Sequence, residues 1–125
     1  MIDHYGFSAT DLGASKAFYL AALAPLGVGA VMEYADGEEA GVGFGEGDHP
    51  YFWVGSGGVP GPHFHLAFAA ASRAAVDEFY RAAIAAGGRD NGGPGLRPDY
   101  HANYYAAFVF DPDGHNIEAV CHKPE

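Results

Sequence analysis

Apolar positions along the chain change period in the same order twice. Residues 2–9 alternate, with His4, Gly6 and Ser8 on one face and Tyr5, Phe7 and Ala9 on the other, the pattern of a half-buried strand. Thr10 or Asp11 then opens a helix over about 13–25, given an apolar side by Phe18, Leu23 and Leu26 and stopped by Gly27. Three shorter strands are predicted over 29–34, 40–45 and 51–55. In the second half a strand over 63–70 sets His63, His65 and Ala67 against Phe64, Leu66 and Phe68. Ser72 caps a helix over about 73–86, with Val76, Phe79 and Ile84 inward, and Gly87-Gly88 ends it. Strands follow over 89–91, 104–110 and 116–122, the last two joined by the turn Asp111-Pro112-Asp113-Gly114.

The two halves also align residue on residue. A shift of 61 positions lays His4 on His65, Phe7 on Phe68, Phe18-Tyr19 on Phe79-Tyr80 and Gly27 on Gly88, in order and without a gap. Such self-similarity marks duplication of one supersecondary unit. The expected fold is α+β. It is a single domain over 1–125, with two tandem βαβββ modules (about 1–60 and 61–125) forming a curved mixed sheet around an open cleft and helices on the outer face.

Composition narrows the function. Half the residues are hydrophobic, enough for a packed core. A net charge of −10 with only six Lys and Arg argues against a nucleic-acid partner or an anionic membrane surface. One cysteine, Cys121, excludes an intrachain disulfide, and no apolar run reaches membrane-spanning length, so a cytoplasmic protein is expected. Glycine gathers around 41–61 and 87–95 together with several prolines, which reads as turns and loops. Asp36, Glu38 and Glu39 read as a solvated hairpin turn. Cys121 falls on the face opposite Glu118 and reads as a buried, inert thiol.

The duplication, Ile2-Asp3-His4 with Asp11 seven residues on, His65-Leu66-Ala67-Phe68, and the DPDG turn leading to Ile117-Glu118 together resemble the vicinal oxygen chelate superfamily. That superfamily includes glyoxalase I, extradiol dioxygenases, fosfomycin-resistance proteins and bleomycin-binding proteins. The resemblance spans nearly the whole chain. It implies that His4, His65 and Glu118 are the metal ligands, holding one divalent cation (Fe, Mn, Ni or Zn). It also implies a homodimer, because relatives often build the cleft at a dimer interface, sometimes with modules exchanged. Where glyoxalase I carries a fourth ligand this chain has Trp53, whose indole N–H offers no lone pair. Lactoylglutathione lyase activity is therefore not the expected reaction.

Two imidazoles and a carboxylate leave coordination positions open for water or substrate. A cation held there can stabilise charge on adjacent substrate oxygens. Next to the cleft, Arg97, Tyr100, His101, Tyr104 and Tyr105 lie within nine residues. Tyr100, His101 and Tyr105 are candidate catalytic proton donors. Trp53, Arg97 and Tyr104 are candidate substrate-binding residues, with Trp53 stacking on a flat ring. His63 reads as a rim residue. The expected function is a metal-dependent enzyme acting on a small molecule with vicinal oxygens, as a lyase, isomerase, dioxygenase or thiol transferase. The alternative is a metal-free protein that binds a planar drug or metabolite.

Overall fold

A computed structural model describes all 125 residues, and both modules are present. The first runs β1 (Tyr5–Ser8), α1 (Leu12–Leu23), β2 (Gly29–Asp36), β3 (Glu39–Glu46) and β4 (His49–Gly55). The second runs β5 (His65–Ala69), α2 (Arg73–Ala85), the two-residue strands β6 (Arg89–Asp90) and β7 (Gly95–Leu96), β8 (Tyr105–Phe110) and β9 (Asn116–Cys121). Local chemistry sets the helix ends. Asp11 and Ser72 each accept a hydrogen bond, at 3.1 Å, from the backbone N–H three residues on, satisfying donors that a first turn leaves unpaired. Pro25 converts the end of α1 into one 3₁₀ turn, and Gly27 closes it at a φ of 80° that a side chain would resist.

In each module the first strand lies parallel to the last, and the other strands pair antiparallel, giving the orders β1-β4-β3-β2 and β5-β9-β8-β6 with β7 also on β8. The expected pair of βαβββ modules is thus present, each with its own hydrogen-bonded mixed sheet. Their helix-side faces share one core in which Phe18, Tyr19, Phe44, Phe52 and Phe79 are fully buried. Opposite faces of the strands stay open. No helix is long and apolar enough to cross a membrane.

The DPDG turn does more than reverse the chain. Asp111, almost fully buried, accepts from the backbone N–H groups of Asp113 and His115 at 2.9 Å each, and from the Tyr19 hydroxyl at 2.6 Å. Asp113 accepts from the Thr10 N–H at 3.1 Å. The turn of the second module therefore grips the helix of the first. Nearby, His115 stacks on Phe64 at 3.9 Å and its Nδ1 accepts from the Phe64 N–H. Burial holds this imidazole below its usual pKa. It is a neutral structural acceptor.

Candidate functional site

The second module assembles a polar cluster on its open face. Parallel pairing of β5 with β9 sets His65 against Asn116 and Ala67 against Glu118, and antiparallel pairing sets Phe108 against Glu118. Alternation therefore puts His65, Glu118 and Phe108 on one side of the sheet. Glu118 is 1% exposed. Its Oε1 lies 3.0 Å from His65 Nε2, and its Oε2 accepts from the Tyr104 hydroxyl. Burial, then the bond to Glu118, pushes the Tyr104 phenol up to about 12, so Tyr104 remains a donor across ordinary pH.

The other ring nitrogen decides what His65 offers. Nδ1 lies 2.9 Å from the Asn116 carbonyl oxygen. A carbonyl only accepts, so Nδ1 carries the hydrogen. Nε2 of the neutral ring then presents a lone pair to a carboxylate oxygen, and two acceptors face each other. A shared proton or a cation must lie between them. Backbone anchoring of one histidine nitrogen so that the other aims at a charged site is how metal-binding histidines are oriented. The donor set fits a divalent cation with an additional ligand. Within the chain, however, no three His, Cys, Asp or Glu side chains converge on one point.

His4, the third ligand expected from the sequence, lies elsewhere. It stands just before β1, on the open face of the first sheet, and lines an open depression of about 430 Å³ with Gly6, Tyr34 and Trp53. Its Nδ1 bonds Asp3 at 2.8 Å, a contact that holds the Asp3 carboxyl below its ordinary range. The expected gathering of His4, His65 and Glu118 is therefore corrected for the single chain. His65 and Glu118 meet, while His4 stays with Trp53 on the other sheet.

Most of the remaining candidates surround Tyr104. Tyr100, largely exposed, packs edge-on against it at 4.8 Å, and His101 does so at 5.4 Å. His101 Nδ1 accepts from the Asn103 N–H, so its Nε2 donates to His122 Nδ1 at 2.7 Å. Neither Tyr100 nor His101 has a hydrogen bond to Glu118 or His65. His122 went unrecognised in the sequence, although it stands four residues beyond Glu118, and alternation gives it the same face. Arg97 lies over the Phe108 ring at 5.3 Å, with Nη1 and Nη2 donating to the Gly95 and Gly93 carbonyls at 2.8 Å. Those bonds fasten the 93–97 loop and hold Arg97, an expected substrate-binding residue, beside Phe108.

Tyr105 requires a second correction. Its hydroxyl donates to Asp77 of α2 at 2.7 Å, and Arg73 lies over its ring. It faces the helix, away from Glu118, and is not a proton donor to the cleft. Tyr104→Phe should change ligand or metal affinity at the cleft. Tyr105→Phe should leave it within about 2-fold while lowering stability by about 1 kcal/mol. Titration calorimetry beside thermal melts separates the two, and equal effects on affinity would contradict this assignment of faces.

The strand expected over 40–45 carries glycine at alternate positions. Gly41, Gly43 and Gly45 occupy alternate positions of β3, and Gly55 ends β4. They clear the open face of the first sheet instead of making loops. Cys121 is fully buried, as expected.

A model of the Glyoxalase/Bleomycin resistance protein/Dioxygenase superfamily matches residues 1–119. Among solved structures, a glyoxalase/bleomycin resistance protein from Albidiferax ferrireducens T118 is 32% identical, with a TM-score of 0.77 over 98% of this chain and 99% of that one. A glyoxalase/bleomycin resistance protein/dioxygenase family enzyme from Burkholderia phytofirmans PsJN superposes at a TM-score of 0.70, with 19% identity over 97% of this chain and 98% of the other. The E144Q mutant of glyoxalase I from Zea mays gives 0.75 at 20% identity, with 95% of this chain covering 46% of that chain. No curated protein matches the sequence.

Proposed function

The chain belongs to the glyoxalase, bleomycin resistance protein and dioxygenase superfamily, and on that basis we propose a metal-dependent enzyme acting on a small molecule with vicinal oxygens. His65 and Glu118 of one chain would hold a divalent cation, and His4 of a second copy would complete the ligand set in a homodimer. The observation that carries this reading is His65 Nε2 set 3.0 Å from a buried carboxylate oxygen while Nδ1 is fixed to a backbone carbonyl. The separation of His4 from that pair supports the second copy.

When bound, the cation would act as a Lewis acid on adjacent substrate oxygens, stabilising negative charge as it develops. The chain's own contribution is orientation. Tyr104 holds Oε2 of Glu118 and leaves Oε1 toward His65. Asn116 fixes the imidazole tautomer. Trp53 occupies the place of a further ligand with an indole wall, so a substrate ring can rest where a carboxylate would otherwise stand.

The test is the metal content of untagged protein. Wild-type chains should retain Fe, Mn, Ni or Zn at about one per chain, and His65→Ala and His4→Ala chains should each lose it. Refolding the two variants together should restore about a quarter of the wild-type sites, because only mixed dimers contain one intact His4–His65–Glu118 set. Full occupancy in His4→Ala would remove that residue from the ligand set. Wild-type protein that refuses added metal would overturn the metal chemistry.

A further inference from the structure

The open face of the first sheet, which bears Trp53 and His4, carries a feature that says which ring the cleft would take. Across it run Ser8 and Gly6 of β1, Gly55 and Trp53 of β4, Gly41 and Gly43 of β3, and Tyr34 of β2, brought side by side by strand register. The glycines are what let the two rings lie down. A Cβ on Gly43 would stand 2.9 Å from Cζ2 and Cη2 of Trp53, and one on Gly41 would stand 2.5 to 2.9 Å from the Tyr34 ring. Each aromatic side chain is folded over bare backbone of the neighbouring strand. Their centroids are 6.2 Å apart and the planes are inclined by 49°. Tyr34 is 47% exposed. The pair forms the floor of an open cavity of about 500 Å³, whose wall includes Ser8, Glu39, Ser56 and Gly57. Glu39 leans over the mouth beside Gly57, where an added Cβ would meet its Cγ at 2.8 Å.

Charge gives this floor a sign. Of the six Lys and Arg only Lys16 lies in residues 1–60, and it is paired with Glu33. Glu33 pairs in register with buried Val42, on the helix side of the sheet. No free lysine or arginine of the first module therefore offsets Glu39, and Asp36 and Glu38 add further negative charge on the adjoining hairpin. Two ring faces beneath an unpaired carboxylate attract a cation whose charge is spread over a flat ring. An anionic ring would meet repulsion, and a neutral ring would gain stacking alone.

We propose that this face binds planar aromatic cations, stacked on Trp53 and Tyr34 with the positive end toward Glu39. The proposal rests on the reading of Trp53 as a substrate wall and names the class of ring it takes, while its test, run without metal, stands apart from the metal chemistry. Trp53 is the single tryptophan, so quenching of its fluorescence reports occupancy directly. The test titrates chelator-treated protein at low ionic strength with 1-methylquinolinium, with neutral quinoline at mildly alkaline pH, and with 2-naphthoate. Calorimetry gives the affinities. Saturable binding is expected in the order cation, neutral ring, anion, with the cation roughly 10-fold tighter than quinoline. Glu39→Gln should bring cation and neutral ring to within about 2-fold, and added salt should do so in part. Gly43→Ala should weaken all three rings by displacing the indole. Should that variant fail to fold, Glu39→Gln, on an exposed strand start, still decides the matter. Equal affinity for cation and neutral ring, a cation preference untouched by Glu39→Gln, or no saturable quenching would each overturn the proposal. Because no metal is present in the titration, its failure is distinguishable from failure of the metal chemistry.

Discussion

Glu118→Gln should abolish metal retention while leaving the metal-free protein as stable as wild type or more so. The carboxylate is 1% exposed and has two partners, the Tyr104 hydroxyl and His65 Nε2. With neutral His65, the Oε1–Nε2 contact sets two acceptors together, and in the absence of a cation the arrangement holds a buried charge at a cost in solvation. A glutamine of the same shape accepts from Tyr104 through its oxygen and donates to Nε2 through its amide nitrogen. Every buried polar atom is then satisfied without charge, and metal-free stability should stand within about 1 kcal/mol of wild type or above it. Metal affinity should fall by more than about 100-fold, because the anionic ligand has gone, a loss beyond that of merely disturbing an outer partner. Thermal melts with and without chelator, beside metal titration, separate these effects. Wild type should gain stability from metal and Glu118→Gln should gain none. A variant that still binds metal tightly would remove Glu118 from the ligand set. One that melts far below metal-free wild type would mean that the carboxylate is retained for structure.

The elements that were legible in the sequence are those that local patterning determines. Alternation over 63–70 and 116–122 put His65 and Glu118 on strands, the repeat placed His4 in the equivalent strand of the other module, and the family resemblance implied that the three meet. The pairing of β5 with β9 came from the structure. What local patterning cannot specify is how the two sheets sit relative to each other, and that relation separates His4 from the pair. Tyr104 and Tyr105 show the same limit on a smaller scale. Alternation requires opposite faces, but only the register of β8 on β9, with Phe108 beside Glu118, decides that Tyr104 is the one in the cleft. Gly41, Gly43 and Gly45 lie on the strand expected over 40–45, although the glycines of 41–61 taken together suggested turns. Their spacing of two along a predicted strand was the overlooked sign of a cleared sheet face. His122 could have been found by continuing the alternation of β9 beyond Glu118. Tyr19 and Asp111 had no such sign. They are 92 residues apart, and their hydrogen bond exists only in the folded chain.

That bond sets the second large effect. Asp111→Ala should destabilise the protein by about 3–5 kcal/mol, since it strands the buried Tyr19 hydroxyl and the N–H groups of Asp113 and His115 together. For a domain of this size that corresponds to a fall in Tm of roughly 10–20 °C. Asp111→Asn keeps the shape and part of the bonding, and should lose about half as much. Tyr19→Phe removes only the hydroxyl, and its pH dependence is diagnostic. Burial, followed by the charge of Asp111, raises the Tyr19 phenol well above its ordinary value of 10.0. A raised folded-state value favours the protonated form, so its contribution is fully present below about pH 10. It declines above that, as the unfolded chain ionises and the folded one does not. Wild type should therefore lose stability on the alkaline side more steeply than Tyr19→Phe, which starts lower by about 1–2 kcal/mol at neutral pH. Denaturant melts across the alkaline range read both the offset and the slope. Parallel curves for the two proteins would mean that Tyr19 ionises as freely in the fold as out of it. An Asp111→Ala variant melting within a few degrees of wild type would mean that the turn does not hold the first helix. If the latch is as strong as its bonding indicates, the two modules unfold as one unit, and the open faces bearing His65, Glu118 and Trp53 are presented on a common rigid frame.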